Sequence, residues 1–254
     1  MTFTEPQPDD KRPGAATGIK SVDGIGFKRC RPEMSTNKMG SPRDERQGDG
    51  RRPVVAFDFD GTLSFRDSFM AFLAWRAGPV AFALGLARLA PHALAWLLHR
   101  DRGRLKAAAV QIYLRGLPKE ALDAACAAFA ESELGRKLVR PDAEQCWRQW
   151  KQSGALLIIV TASPEEVVAP FARRLAADAL IGTRLDYDAE GRVRGGFDGP
   201  NCRGPEKVSR LREMFGPELE LAAAYGDTSG DRDMLALADV KGFRVFTGRR
   251  TTPA

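Results

Sequence analysis

Residues 54–63 read Val-Val-Ala-Phe-Asp-Phe-Asp-Gly-Thr-Leu, an apolar run that ends in two carboxylates one residue apart and then a glycine. A run that is apolar at consecutive positions fits a strand covered on both faces, as at the centre of a parallel sheet. The reading is a strand over Val54–Asp60. Side chains alternate along a strand, so Asp58 and Asp60 fall on one side. Open α/β sheets bind ligands beyond the carboxyl ends of their strands, which is where these acids fall. Two carboxylates facing one small volume resist ionising together. A bound cation relieves the repulsion, or one of the acids carries a proton. The same spacing also reads as a turn followed by a helix N-cap.

The rest of the chain narrows the chemistry. Charged residues make up 28% and hydrophobic ones 43% of 254 residues, as in a soluble globular protein. Cys30, Cys126, Cys146 and Cys202 are scattered with no Cys-x-x-Cys, which argues against a disulfide framework or a zinc site. The only histidines, His92 and His99, lie in an apolar segment. Histidine metal sites and Ser-His-Asp catalysis are thereby set aside. Carboxylates, hydroxyls and lysine remain. Residues 1–52 mix Pro, Gly, Asp, Lys and Arg without apolar periodicity and read as a disordered tail with no secretory signal. A cytoplasmic protein is the expectation, and no nucleic-acid partner.

From residue 54 the pattern is α/β. Ala155–Val160, Leu221–Tyr225 and Phe243–Phe246 read as further strands, and Leu185–Phe197 as a β-hairpin. Helices are expected over Pro164–Ala177, Glu206–Phe215 and Asp231–Ala238. Residues 65–150 are rich in helix formers and show no strand pattern, so they read as a helical cap inserted into a core made of 53–64 and 151–254.

The first half of that insert is unusually apolar. From Phe69 to Leu98 only Arg76 and Arg88 are charged. The charge-free runs Ala77–Ala87 and Leu89–His99 are eleven residues each, and Gly78-Pro79 and Pro91 interrupt them. A spanning helix needs about 20 apolar residues, so a hairpin lying in a membrane interface is the better fit. Residues 66–119 carry 9 Lys/Arg against 2 Asp/Glu. Arg100, Arg102, Arg104 and Lys106 would anchor residues 69–106 to anionic headgroups, making the protein peripheral at the inner face of the cytoplasmic membrane. The other reading is a cap packed on itself or on a second chain.

Each later strand also ends in polar residues. Thr161, Ala162 and Ser163 precede Pro164, so a hydroxyl and free backbone N–H groups stand at a helix N-terminus, which suits phosphate. Ser163 itself reads as a helix cap. Gly226-Asp227-Thr-Ser-Gly-Asp231-Arg-Asp233 follows the third strand, with Asp233 on the helix surface. Clustered oxygen donors without His or Cys suit Mg²⁺. Lys207 opens a helix where its ammonium can neutralise phosphate charge.

These residues, in this order, resemble the four motifs of the haloacid dehalogenase (HAD) phosphatase superfamily: Asp58-Phe-Asp60-Gly-Thr, Thr161, Lys207, and Gly226-Asp227-x-x-x-Asp231. The match spans about 54–246, and the insert resembles the type-one cap of the phosphoserine-phosphatase-like subfamily IB. The resemblance implies a Rossmann-like parallel-sheet core with an all-helical cap. It implies Asp58 as nucleophile, Asp60 as general acid and base, and Thr161, Ala162 and Lys207 as phosphate-binding residues. It further implies Mg²⁺ on Asp58, the Asp60 carbonyl and Asp227, with Asp231 orienting Lys207 or a metal-bound water. Asp67 falls where phosphoserine phosphatases meet the substrate amine. The apolar, basic cap and the run Asn201-Cys-Arg-Gly-Pro-Glu-Lys207-Val are more similar to the bacterial phosphatidylglycerophosphatase C branch. The expected substrate is therefore a lipid phosphate monoester. Phosphoserine-like small esters and a phosphotransferase or mutase reaction on the same core are the alternatives, as is a membrane-docked binding protein without turnover.

Overall fold

The structure, a computed structural model, describes residues 52–99 and 102–249. The expected tail, apart from Arg52, and the anchor residue Arg100 lie outside the described residues. Arg52 already belongs to the body of the protein: its guanidinium donates to the carbonyls of Gly154 and Ala155 at 2.8 and 3.0 Å.

Strand β1, Val54–Phe57, is the middle of a five-stranded parallel sheet. On one side it pairs with β2 (Leu156–Pro164), with Val55 opposite Leu157, and β2 pairs with β3 (Ala179–Thr183). On the other side it pairs with β6 (Leu221–Gly226), and β6 with β7 (Ala238–Phe243). The antiparallel pair β4 (Leu185–Tyr187) and β5 (Val193–Phe197) is the expected hairpin. The order β3-β2-β1-β6-β7 follows from covering: the central strands β1, β2 and β6 are the apolar ones, and both their faces are buried. Val55, Phe57, Leu157 and Ile159 join one core cluster; Ala56, Ile158 and Val160 join the other. That is the strand alternation expressed as two layers.

The sequence of helices explains which layer each face meets. The kinked helix α1 (Ser68–His99) is followed by α2 (Arg102–Tyr113), α3 (Lys119–Glu131), the single turn α4 (Glu133–Arg136) and α5 (Pro141–Gln152). Helix α6 (Glu165–Arg174) links β2 to β3, α7 (Pro205–Phe215) precedes β6, and α8 (Arg232–Ala236) precedes β7. Helices α5 and α6 cover the Phe57 face: Phe57 packs on Trp147 with ring centroids 5.0 Å apart and on Tyr225 at 4.4 Å. Trp150 Nε1 donates to the Tyr225 hydroxyl at 2.8 Å, and Trp147 Nε1 to the Leu175 carbonyl at 3.0 Å. Most of helix α5 lies within the 65–150 stretch by sequence, yet these contacts run to the sheet. Leu211 of α7 and Met234 of α8 fill the opposite layer.

Several boundaries differ from the sequence reading. Strand β1 ends at Phe57, so Asp58 and Asp60 lie in the loop beyond it and not in the strand. Strand β7 spans Ala238–Phe243, before the expected Phe243–Phe246, and β3 had no counterpart in the reading. Both are edge strands. In β7 the edge tolerates Asp239 and Lys241, so no continuous apolar run marks it; β3 is a five-residue run, Ala-Leu-Ile-Gly-Thr, too short to stand out.

In the insert, Gly78 breaks the helix as expected: its φ of 74° lies in the left-handed region, and Pro79 then starts the next helical stretch with a preset φ. Pro91 does not end the helix, which continues to His99. Helices α1 and α2 form a hairpin held by Tyr113, whose hydroxyl donates to the Phe82 carbonyl at 2.7 Å. A Cβ on Gly85 would stand 2.2 Å from the Tyr113 ring, so only glycine permits this approach. The lower end of α1 is tied into the core through Phe72, which meets Phe129 at 5.7 Å. Beyond Gly78 only one side is: Leu89 is buried and Phe82 packs against the core, while Val80, Leu84 and Leu86 are 73%, 56% and 40% exposed. Ser68–Ala90 is long and apolar enough to cross a membrane by length and composition, and 28% of its most apolar window is buried.

Candidate active site

Four chain segments deliver acids, a lysine and hydroxyls to the carboxyl edge of the sheet. The backbone N–H of Asp58 donates to the Tyr225 carbonyl at 2.9 Å, which fixes the end of β1 to β6. The chain then turns widely through Phe59–Leu63, with Gly61 at φ 82°. A Cβ there would come within 2.3 Å of Asp227 Oδ2. Glycine is therefore required twice over, for its backbone angle and for the nearness of a carboxylate. The turn carries Asp58 and Asp60 to one cavity of about 530 Å³, which Lys207, Asp227 and Asp231 also line.

Lys207 is the hub. It sits in the first turn of α7 and is 1% exposed. Its Nζ donates to Asp58 Oδ1 at 2.6 Å, to Asp231 Oδ1 at 2.7 Å and to the Val160 carbonyl at 2.6 Å, which uses all three of its N–H groups. Burial alone would favour the neutral amine, but the charges of Asp58 and Asp231 override it and hold the ammonium charged above its usual range. Asp231 gains most from the sharing. Burial pushes its carboxyl up, while Lys207 and the hydrogen bonds of Thr228 bring it below the usual carboxylate range. Its other oxygen accepts from Asp227 N at 3.2 Å, Thr228 N at 2.8 Å and the Thr228 hydroxyl at 2.9 Å.

Asp58 is left under-compensated. Burial raises its carboxyl to about 7, with Lys207 pulling down and Asp231 and Asp60 pushing up. Burial also raises Asp227, and Asp231 adds to it. One carboxylate oxygen from each of Asp58, Asp227 and Asp231 lies within 4.8 Å of the others, close enough to hold one metal ion. Asp231 is already neutralised by Lys207 and backbone N–H groups, so the unsatisfied negative charge rests on Asp58 and Asp227.

Asp60 is held from two sides: Ser68 N donates to Oδ1 at 2.7 Å and the Ser163 hydroxyl to Oδ2 at 2.5 Å. Its carboxyl is raised by burial first and by Asp67 second. Ser163 is thus bonded into the site rather than capping a helix; Pro164 occupies the N-cap position of α6. Thr161 is fully buried and its Oγ accepts from Ser163 N at 3.1 Å, while Ala162 lines the cavity. Asp67 lines the cavity too, with Oδ1 accepting from Met70 N at 2.9 Å. Asp233 is exposed, as expected.

Lys106 corrects one expectation. Its sequence neighbours group it with a headgroup-binding run, but it points inward, lines the cavity and donates to the Ala162 carbonyl at 3.2 Å and Ser163 Oγ at 3.3 Å. No sequence signal separated it from its exposed neighbour Arg104 except a helical offset of two residues, which places the two on different faces. Asn201 and Arg203 also line the cavity, and Met70, Leu89, Leu105 and Ala109 give it an apolar wall.

The model of the haloacid dehalogenase-like hydrolase family matches residues 55–236. Protein CicA of Caulobacter vibrioides is 56% identical over 201 residues, spanning 79% of this chain and 90% of the relative. A protein of unknown function from Bordetella pertussis Tohama I has a similar structure, at TM-score 0.60 and 26% identity over 73% of this chain and 86% of that one. A substrate-bound phosphoserine phosphatase shares the fold at TM-score 0.54 and 21% identity, over 77% and 87%. By sequence match, sheet order and the placement of its carboxylates, this chain belongs to the haloacid dehalogenase-like hydrolase family.

Proposed function

We propose that the protein is a Mg²⁺-dependent phosphatase of phosphate monoesters that works through a phosphoryl group carried on Asp58. The observation that carries this reading is the shared ammonium: Lys207 joins Asp58 to Asp231 beneath an open cavity that Asp60 also enters. In the first step a carboxylate oxygen of Asp58 attacks phosphorus, the bond from phosphorus to the ester oxygen breaks, and the proton of Asp60 moves to that oxygen to release the alcohol. In the second step Asp60 takes a proton from water as the water oxygen attacks phosphorus. The acyl phosphate bond breaks, inorganic phosphate leaves and the Asp58 carboxylate is restored. The positive charge of Lys207 offsets the negative charge of the phosphoryl oxygens, and the backbone around Thr161 and Ala162 holds them.

The residues fit a hard divalent cation. Asp58 and Asp227 are crowded carboxylates whose proton affinity stays raised despite the charges of Lys207 and, for Asp227, Arg244, and the carboxylate oxygens of the cluster suit such an ion. Asp58, the Asp60 carbonyl and Asp227 would hold Mg²⁺, with Asp231 supporting from behind. When bound, the ion supplies positive charge that lowers the repulsion between the Asp58 carboxylate and the phosphate dianion.

A lipid phosphate is the favoured substrate. The cavity wall of Met70, Leu89, Leu105 and Ala109 suits an acyl chain better than an amino acid, and α1, which supplies Met70 and Leu89, also exposes Val80, Leu84 and Leu86. That apolar surface supports contact with a membrane, and the excess of Lys and Arg over residues 66–119 supports an anionic one. Phosphoserine is the second reading, favoured by Asp67 at the cavity. Purified protein with Mg²⁺ should turn over phosphatidylglycerophosphate or phosphatidate in vesicles at least about tenfold faster than phosphoserine, the scale of one or two buried methylenes. Replacing Val80, Leu84 and Leu86 together by Ser should weaken sedimentation with anionic vesicles without changing hydrolysis of p-nitrophenyl phosphate. Preference for phosphoserine would overturn the lipid reading.

A further inference from the structure

The carboxyl of Asp60 is fastened to the cap through two residues outside the four motifs. Ser163 is fully buried, and its hydroxyl reaches Asp60 Oδ2 at 2.5 Å. The same hydroxyl oxygen accepts from Lys106 Nζ at 3.3 Å. Lys106 stands on α2, in the insert, while Ser163 stands near the end of β2, in the sheet. Its ammonium also donates to the Ala162 carbonyl at 3.2 Å and faces Asp67 Oδ2 at 3.7 Å, at the foot of α1. An ammonium has three N–H groups. Two are bonded to the end of β2 and the third side faces Asp67, so Lys106 acts as a clamp and not as a reader of substrate charge.

A hydroxyl has one hydrogen to give and two lone pairs to offer. With Lys106 on a lone pair, the Ser163 hydrogen is directed at Asp60. The Asp60 carboxyl then accepts from Ser163 and from Ser68 N, and its own proton is kept out of both bonds and free for the leaving oxygen. We propose that Ser163 and Lys106 are positioning residues for proton transfer by Asp60, with Lys106 acting through Ser163, so that acid catalysis requires α2 to be seated over the sheet. This rests on the phosphatase reading above.

Dependence on the leaving group separates this role from a merely structural one. An aryl ester with an acidic phenol needs little protonation as it departs, whereas a less acidic phenol needs more. We take kcat/KM across p-nitrophenyl, phenyl and p-methylphenyl phosphate as the readout. The wild type should show a shallow dependence. Ser163→Ala and Lys106→Met should each steepen it, with phenyl phosphate falling about tenfold more than p-nitrophenyl phosphate, a part of the roughly 10²–10⁴-fold that general acid catalysis supplies. The double variant should fall no further than Ser163→Ala alone. Equal losses on all three esters, no loss, or losses that multiply in the double variant would each overturn the assignment. If Ser163→Ala does not fold, Lys106→Met alone decides by the same slope. A wild type that hydrolyses none of the three esters overturns the phosphatase reading and this assignment with it; an active wild type with uniformly slowed variants overturns this assignment alone.

Discussion

Asp58→Asn is expected to abolish turnover while stabilising the metal-free protein at pH 8. The amide cannot attack phosphorus, and removing a residue that bears the reacting bond costs about 10⁴-fold or more in kcat. The stability gain follows from the direction of the shift. The Asp58 carboxyl ionises at 3.8 in the unfolded chain and is raised to about 7 by burial in the folded one. As pH rises through that window, the unfolded chain loses its proton first, and the folded state is progressively disfavoured. The full penalty, on the order of 4 kcal/mol, is present above pH 7 and absent below pH 4. Asparagine keeps the carbonyl that accepts from Lys207 and removes the charge. Thermal melting should therefore show the variant above the wild type at pH 8 and the two nearly equal at pH 4. Mg²⁺ should raise the wild-type melting temperature at pH 8 more than that of the variant. A variant that melts lower at pH 8 would contradict the description of Asp58 as under-compensated.

Lys207→Met carries the second large effect, in the opposite direction. It leaves the carboxylates of Asp58 and Asp231, buried and formerly 2.6 and 2.7 Å from one ammonium, without their cation. Breaking a buried ion pair by removing one partner costs about 3–5 kcal/mol. For a protein of this size that lowers the melting temperature by about 10 °C. The loss should shrink at acidic pH, where the stranded carboxyls accept protons. Lys207→Arg should not restore activity, because a planar guanidinium does not offer three N–H groups from one point in a fully packed site. A Met variant with unchanged melting at neutral pH would contradict the hub role of Lys207.

Much of this architecture was legible because the central strands carry a strong signal. Val54–Phe57, Leu156–Val160 and Leu221–Tyr225 are buried on both faces, so consecutive apolar residues announced them, and the acids that follow fell at the sheet edge. The edge strand β7 was misplaced because solvent on one side lets Asp239 and Lys241 interrupt its pattern, and β3, Ala-Leu-Ile-Gly-Thr, was missed because so short a run does not distinguish a strand from a helix end. Asp58 and Asp60 were named at the end of a strand, Asp227 and Asp231 after one and Lys207 at a helix start, and all five line one cavity. Lys106 and Ser163 were not legible in the same way. Their place depends on how α2 lies against the end of β2, a contact between residues 57 apart in sequence that no local pattern encodes. The apolar stretch of α1 was visible, but which of its residues pack on the core, such as Phe72 and Leu89, and which are exposed, such as Val80 and Leu84, emerges only from packing.

Rapid acid quench during turnover, followed by mass spectrometry of the peptide containing Asp58, tests the central claim most directly. With Mg²⁺ and a phosphate monoester, a phosphoryl adduct on Asp58 is predicted, acid-stable enough to survive quenching, and absent in Asp58→Asn. Steady turnover with no adduct on Asp58, together with an active Asp58→Asn protein, would contradict it.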